Sequence, residues 1–390
     1  MKILFMNTCI LNNGDALLVT GLYHRLKKDG HRMVLSDVRE MELCKKKYPH
    51  IRWMRGITSF NWIEQKLIKI SPIIKVLIIK CRVLLTRRYG KFDVILSAPG
   101  GYINKFYGFE DRMMALQYLK QVHDAKLVMY SQSVGPLKKS DEEILHKYIK
   151  EFALFMVRDK YSHGFVSQYN NVLLTNDAAF LNKPHMKWNK ESKIIGISVR
   201  EWNYDGASER SYIDMMIRII KFCIDRNYLV EFVSTCQGNV QYIDDSKMAE
   251  KIVKRLGMQY REKIKINNQQ YTIAQLKNKI SDFYCVIGTR LHMCILSLLT
   301  GIPAFNISYE MKGIECYKQL EMEEYSCNYN ESIEKAISKM EVFMDNIPEI
   351  SNRLEDKMEK MNHLAEESYE MFMNTIAEEK DDEDNKNKIC

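Results

Sequence analysis

Short apolar runs alternate along this chain with stretches whose apolar positions recur at helical spacing, a pattern that predicts repeated parallel β/α units. Lys2 to Asn7 reads as a first strand. The polar turn Leu11-Asn12-Asn13-Gly14-Asp15 follows, then a helix over Ala16 to Lys28 that Asn13 or Asp15 can cap, then a strand over Arg32 to Ser36. Further strands are predicted over Phe92 to Ser97, Lys126 to Ser131, Phe155 to Arg158 and Val172 to Thr175, with helices over Asp111 to Val122 and Glu142 to Phe152. These make an N-terminal lobe over 1–182, with a basic helical insertion at about 40–91. The polar, Pro-bearing stretch Asn182 to Lys193 reads as a linker. A second series then fills a lobe over 190–330. Its strands are Lys193 to Val199, Leu229 to Ser234, Phe283 to Ile287 and Pro303 to Ser308. Its helices are Tyr212 to Arg226, Asp244 to Leu256, Tyr271 to Ile280 and Leu291 to Leu299. Two terminal helices, Glu331 to Met344 and Leu354 to Met373, fill 331–375, and a charged, disordered tail is expected over 376–390.

Composition narrows this picture. A chain of 390 residues that is 46% hydrophobic and 28% charged has room for two domains with large cores, and is not a disordered or fibrous protein. The formal charge of +8 favours anionic ligands or an anionic surface. No finger, Arg-rich or stacking motif accompanies it, so no nucleic-acid partner is expected. The 10 Cys are scattered singly without a CxxC, which points to a reducing cytoplasmic setting. Leu67 to Leu85 is apolar, but Lys69, Pro72, Lys75, Lys80 and Arg82 interrupt it, so it is no spanning helix. It fits either peripheral contact with an anionic membrane at its inner face or a connecting helix packed on a domain.

In a parallel sheet, ligands bind beyond the carboxyl ends of the strands, and that rule selects the candidate chemistry. After the first strand, Asn13 and Gly14 offer backbone N–H groups to an anion or polar ligand, and Asp15 can orient a hydroxyl; a capped turn is the plain alternative. The loop is neither GxGxxG nor GxxxxGK[ST], which disfavours a standard nucleotide loop. Gly100 and Gly101 allow close approach of a ligand, or make a tight turn, and Ser133 stands in a similar loop. Arg158-Asp159 and Asn176-Asp177 read first as salt bridges or caps. Arg200 ends a strand, where it can grip a carboxylate or phosphate, or pair with Glu201, Asp205 or Glu209. The strongest local signal is Gly288-Thr289-Arg290-Leu291-His292. There an anion-binding Arg and a proton-transferring His meet at a strand–helix junction; a structural Arg and a packed His are the plain alternative. In the last loop Lys312 can bind an anion and Glu310 can orient His292 or a sugar hydroxyl.

The order of Asn12-Asn13-Gly14-Asp15, Pro99-Gly100-Gly101, Gln132-Ser133-Val134-Gly135-Pro136, Val157-Arg158-Asp159, Asn176-Asp177-Ala178-Ala179-Phe180, Val286-Ile287-Gly288-Thr289-Arg290-Leu291-His292 and Tyr309-Glu310-Met311-Lys312 resembles the polysaccharide pyruvyl transferase family. The resemblance implies an α/β fold of two Rossmann-like lobes facing a cleft, like GT-B glycosyltransferases, with C-terminal helices. It implies phosphoenolpyruvate as donor and a glycan acceptor, often lipid-linked, with a cyclic ketal as product. By similarity Arg290 and His292 fall on the donor-site motif, Arg200 on another basic donor position, and Asp15 on a residue of the N-terminal lobe. His292 is then the acid, with Asp15 a candidate base. Arg290 and Arg200 clamp the donor, with Gly288, Thr289 and Lys312 beside them. No cofactor and no metal enter this scheme. Two rival readings remain: a glycosyltransferase using a nucleotide-sugar on the same fold, and a non-catalytic scaffold in polysaccharide assembly.

Overall fold

The computed structural model describes residues 1–38, 40–201, 208–238 and 243–377. Asp205 and the charged run from Glu378 onward lie outside the described residues. The chain divides into two compact units. The first takes Met1–Ile10, Leu18–Leu181 and the described chain from Leu364 on; the second takes Leu11–Leu17 and Asn182–His363.

The first unit is built on eight parallel strands: β1 (Lys2–Thr8), β2 (Arg32–Asp37), β3 (Trp53–Arg55), β4 (Val94–Ser97), β5 (Gly100–Ile103), β6 (Lys126–Val134), β7 (Leu154–Val157) and β8 (Val172–Leu174). Their order is β3-β2-β1-β4-β6-β7-β8, with β5 pairing β6 past the end of β4. Ile3, Leu4, Phe5, Ile95, Leu96, Val128 and Met129 are fully buried, as strands covered on both faces must be. The 40–91 stretch holds a helix at Met41–Lys47, strand β3, and two consecutive helices, Trp62–Ile70 and Pro72–Leu85. The unit is closed by side chains from Glu366 to Phe372. Phe372 stands edge-on to Tyr130 at 5.4 Å, Tyr369 donates to Asp29 at 2.8 Å, and Arg25 meets Glu366 at 2.6 Å.

The second unit carries six parallel strands: β9 (Ile194–Ser198), β10 (Leu229–Phe232), β11 (Ile264–Ile266), β12 (Cys285–Gly288), β13 (Ala304–Ser308) and β14 (Ser326–Asn328). Their order, β11-β10-β9-β12-β13-β14, is that of a doubly wound Rossmann sheet, whose strand order reverses between β9 and β12. Ligands of such sheets bind at that reversal, outside the carboxyl ends. Arg200 lies two residues past β9 and Arg290 two residues past β12, so the topology brings these two together from positions ninety apart in sequence.

Two expectations are corrected. The helix after β1 runs over Asn13–Lys28, so its cap is Asn12, whose Oδ1 accepts from Gly14 N at 2.9 Å. The two terminal helices are one, Ile333–Ala377, continuous through Pro348 and taking in Ile376 at the head of the expected tail. Proline in a helix interior costs about 3 kcal/mol. Ile347, Ile350, Leu354, Met358 and Met361 continue a buried stripe at three- and four-residue spacing across it, and their burial outweighs that cost.

Candidate active site

Four strand ends of the second unit supply the site, and each side chain is placed by the turn that follows its strand. After β12, Thr289 N donates to Ser198 O at 2.7 Å, which prolongs the β9–β12 pairing by one residue. Gly288 faces the next helix; a Cβ there would lie 2.5 Å from Cys294 Sγ, so glycine lets that helix pack against its own strand. The buried Thr289 hydroxyl shares a hydrogen bond with Tyr212 Oη at 2.8 Å, and Tyr212 accepts from Arg200 N at 3.4 Å. Gly288 and Thr289 thus shape the turn, and Thr289 ties it to the end of β9.

Arg290 is held by Asp245. Its Nε donates to Oδ2 at 2.8 Å and its Nη2 to Oδ1 at 2.6 Å, a two-point grip that fixes the guanidinium plane. Asp245 is fully buried, and also accepts from Ser234 Oγ at 2.5 Å and from Glu201 N at 3.2 Å. Burial opposes the charge on Arg290, but the Asp245 carboxylate outweighs it, and the guanidinium pKa is raised well above its ordinary value. Asp245 and Ser234 were not among the sequence candidates. Both lie in the loop after β10, which the strand-end rule also selects.

Arg200 is buried, with its guanidinium carbon 4.2 Å from the centre of the Tyr309 ring and Nη1 3.9 Å from Glu310. That carboxylate arrives from the end of β13, not from the neighbouring sequence; Glu209, one of the partners expected from sequence, pairs with Lys251 at 3.0 Å. Glu310 also pairs with Lys312.

The loop after β1 belongs to this unit. Asn13 N donates to Thr235 O, past the end of β10, at 2.8 Å, and Asn12 Nδ2 donates to Asp15 at 3.0 Å. Gly14 then lies against His292 in the first turn of the helix Leu291–Leu299. A Cβ on Gly14 would stand 3.1 Å from His292 Cβ and 3.2 Å from Nδ1. Gly14→Ala should therefore leave the fold as stable as before, since alanine suits a helix better, while it displaces the imidazole. We expect turnover to fall by roughly an order of magnitude or more. Wild-type turnover in a folded G14A protein would show that the ring's position is immaterial.

Gly100, Gly101 and Ser133 belong to the first unit, and the loops expected for them are corrected: Gly100 and Gly101 open β5 and Ser133 lies in β6, because these segments pair with each other past the end of β4. Ser133 Oγ accepts from Arg158 Nε at 2.7 Å and donates to Asp159 at 3.2 Å. Arg158 forms a buried ion pair with Asp177 at 2.8 Å, and Asp159 caps the helix Lys160–Gly164 through Ser162 N. A Cβ on Gly101 would make only ordinary contacts, 3.7 Å from Ser133 Cβ and 3.8 Å from Arg158 Nη2, so the space beside this charged, buried network does not itself demand glycine.

Comparison with known proteins fixes the family. The model of the polysaccharide pyruvyl transferase family matches residues 12–311, well over half of the chain and from the Asn12 loop to the start of the helix after β13. The chain belongs to this family. The pyruvyl transferase is similar to the amylovoran biosynthesis protein AmsJ of Erwinia amylovora, at 27% identity over 309 residues that cover 72% of each chain. Its fold is similar to that of the lipopolysaccharide outer core galactosyltransferase WaaB, with a TM-score of 0.54, 9% identity, and 96% of this chain and 99% of that one covered. It also resembles the UDP-GlcNAc 2-epimerase of Neisseria meningitidis, with a TM-score of 0.57, 9% identity, and 97% and 100% covered. These likenesses establish a GT-B-like fold of two Rossmann-like units with a C-terminal helical region, and fold alone. Family membership makes the protein an enzyme of pyruvyl transfer in polysaccharide biosynthesis. Among the described residues, no helix is long and apolar enough to cross a membrane.

Proposed function

We propose that this pyruvyl transferase takes the pyruvyl group of phosphoenolpyruvate to a hexose of a lipid-linked surface-polysaccharide repeat unit, at an anionic membrane surface, closing a cyclic ketal and releasing phosphate. The observation that carries the reading is the meeting of Arg200 and Arg290 at the reversal of the second sheet, with His292 on the turn that carries Arg290. The donor brings a carboxylate and a phosphate, and two guanidinium groups at adjacent strand ends suit that pair. Asp245 formally neutralises Arg290, so Arg290 would act through the direction of its N–H groups. Arg200 and Lys312 supply the excess positive charge when the donor displaces Glu310, whose side chain is 36% exposed. The N-terminus of the helix Leu291–Leu299 adds to it.

The chemistry follows. A sugar hydroxyl adds to C2 of the donor while C3 takes a proton from His292, which turns the methylene into a methyl. The C2–O bond to phosphate then breaks, the phosphate leaves with its electron pair, and the second hydroxyl closes the ketal. Each hydroxyl gives up one proton to Asp15, the base we assign; one of the two makes good the proton that His292 gave to C3, and the other leaves with the phosphate. The Asn13–Gly14 turn would seat this machinery.

The test is phosphate release from phosphoenolpyruvate, measured against a panel of hexose and lipid-linked acceptors with nucleotide-sugars as the competing donors. We expect acceptor-dependent release from phosphoenolpyruvate alone. Turnover of a nucleotide-sugar in its place, or no release with any acceptor, would overturn the reading.

A further inference from the structure

The helices Trp62–Ile70 and Pro72–Leu85 turn the usual arrangement of an amphipathic helix outward. Of the seventeen large apolar side chains that stand exposed among the described residues, eight fall on these two helices. They form stripes: Ile63, Leu67 and Ile70 on the first helix, Ile73, Leu77 and Leu84 on the second, at the spacing that defines one helical face. Ile70 is 78% exposed and Ile73 70%. The first helix buries no residue, and the second buries only Ile79 and Val83. Isolated exposed apolar residues are ordinary; a run of them along one face marks an interaction surface.

The charge says what that surface meets. Residues 61–91 hold eight lysines and arginines against one carboxylate, Glu64, which is +7 of the chain's formal +8. Some of these cations fasten the helices inward. Arg82 pairs with Glu64 at 2.6 Å, Lys75 pairs with Asp111 at 2.8 Å, and Lys80 sits over the Tyr118 ring at 5.1 Å. Lys66, Lys69, Arg87 and Arg88 are exposed beside the apolar stripes. A second copy docked here face to face would set those four cations against their own counterparts, which like-charge repulsion opposes. A bilayer with anionic headgroups satisfies both features, taking the apolar stripes into its interface and the cations at its phosphates.

We infer that the paired helices Trp62–Ile70 and Pro72–Leu85 are the surface by which this protein docks on an anionic phospholipid bilayer, lying in its interface and not crossing it. This extends the reading above, in which the acceptor is carried on a lipid, by naming the surface that reaches it.

The experiment is co-sedimentation of the full-length protein with vesicles of phosphatidylcholine alone and of phosphatidylcholine mixed with phosphatidylglycerol. Two variants accompany it, Ile70→Ser with Ile73→Ser, and Lys66→Glu with Lys69→Glu, all at exposed positions that no core uses. The wild type should bind the mixed vesicles, release them as salt rises, and bind phosphatidylcholine far less. Each variant should lose roughly tenfold or more of that binding. Its phosphate release from phosphoenolpyruvate with a lipid-free acceptor should match the wild type. Wild-type protein that stays in solution with the mixed vesicles, or variants that bind them as well as wild type, would sink the proposal. Self-association that the Ile70→Ser, Ile73→Ser variant abolishes, without vesicle binding, would assign the face to a second copy and overturn it as well. A protein that binds these vesicles but transfers nothing would retain this inference and remove the pyruvyl-transfer assignment.

Discussion

Replacing His292 by alanine is expected to slow pyruvyl transfer by roughly two to four orders of magnitude, the usual span for loss of a positioned acid. The protein should still fold and still bind phosphoenolpyruvate. The side chain is partly exposed in the first turn of the helix Leu291–Leu299, while the packing of that helix rests on Met293, Cys294, Ile295 and Leu296 behind it. Alanine leaves those contacts in place. The donor's anionic groups are assigned to Arg200 and Arg290, so the loss should fall on turnover with the donor's binding constant little changed. Isothermal titration with phosphoenolpyruvate and a phosphate-release assay on the same preparation separate the two quantities. Undiminished turnover in His292→Ala would remove the proton-transfer role. Undiminished polysaccharide output in a cell whose only copy is the inactive variant would favour a scaffold.

Asp245→Asn is the second large effect, and it is first an effect on stability. The carboxylate is fully buried and accepts from Arg290 Nε, Arg290 Nη2, Ser234 Oγ and Glu201 N. An amide keeps the shape, loses the charge, and turns a donating NH₂ toward groups that are themselves donors. Removing one partner of a buried ion pair costs about 3–5 kcal/mol, because the other charge is left behind. Urea unfolding should show the loss. Removing both charges, as in Asp245→Asn with Arg290→Met, should recover much of it, since a neutral pair leaves no stranded guanidinium. Activity should not recover, because the donor has then lost its Arg290 contact. A double variant that is both stable and fully active would show that Arg290 serves the fold and not the donor.

These two residues mark how far the sequence could be read. Gly288 to His292 was legible because an apolar strand, a glycine, two chemical side chains and an apolar helix follow one another without a gap. The buried strands β1, β4, β6, β9, β12 and β13 were legible for the same reason, since burial on both faces demands an unbroken apolar run. Of the four described strands of three residues, β8 was legible as well, while β3, β11 and β14 were not. β11 carries Lys265 at its centre and β14 reads Ser-Cys-Asn, so it is pairing to a neighbour that makes these segments strands, and no intrinsic pattern does. Asp245 was missed because partnership across 45 positions leaves no periodic trace. The pairing of Arg200 with Glu310 was missed likewise, since nearer carboxylates offered themselves. The gap expected between Met344 and Leu354 is closed, and Pro348 lies inside it. The buried stripe on either side of Pro348 runs through.

The division of the chain also sets an order for its synthesis. The second unit draws on Leu11–Leu17, which leave the ribosome early, and on Asn182–His363, which leave late. The first unit has all of its strands by Leu174, yet the residues that cover Tyr130, Asp29 and Arg25 are Phe372, Tyr369 and Glu366. While the middle of the protein is being made, Tyr130 therefore lacks its aromatic cover, and Asn13 and Gly14 have neither Thr235 nor His292 to rest on. Domains generally fold as units, the N-terminal one first, as the chain emerges. Here that habit can carry the first unit only part of the way: the second unit has all its residues by His363, and the first still waits for those from Leu364 on. A messenger cut short just before the codon for Leu364 would encode every candidate residue of the active site, and still release a first unit with its cover missing.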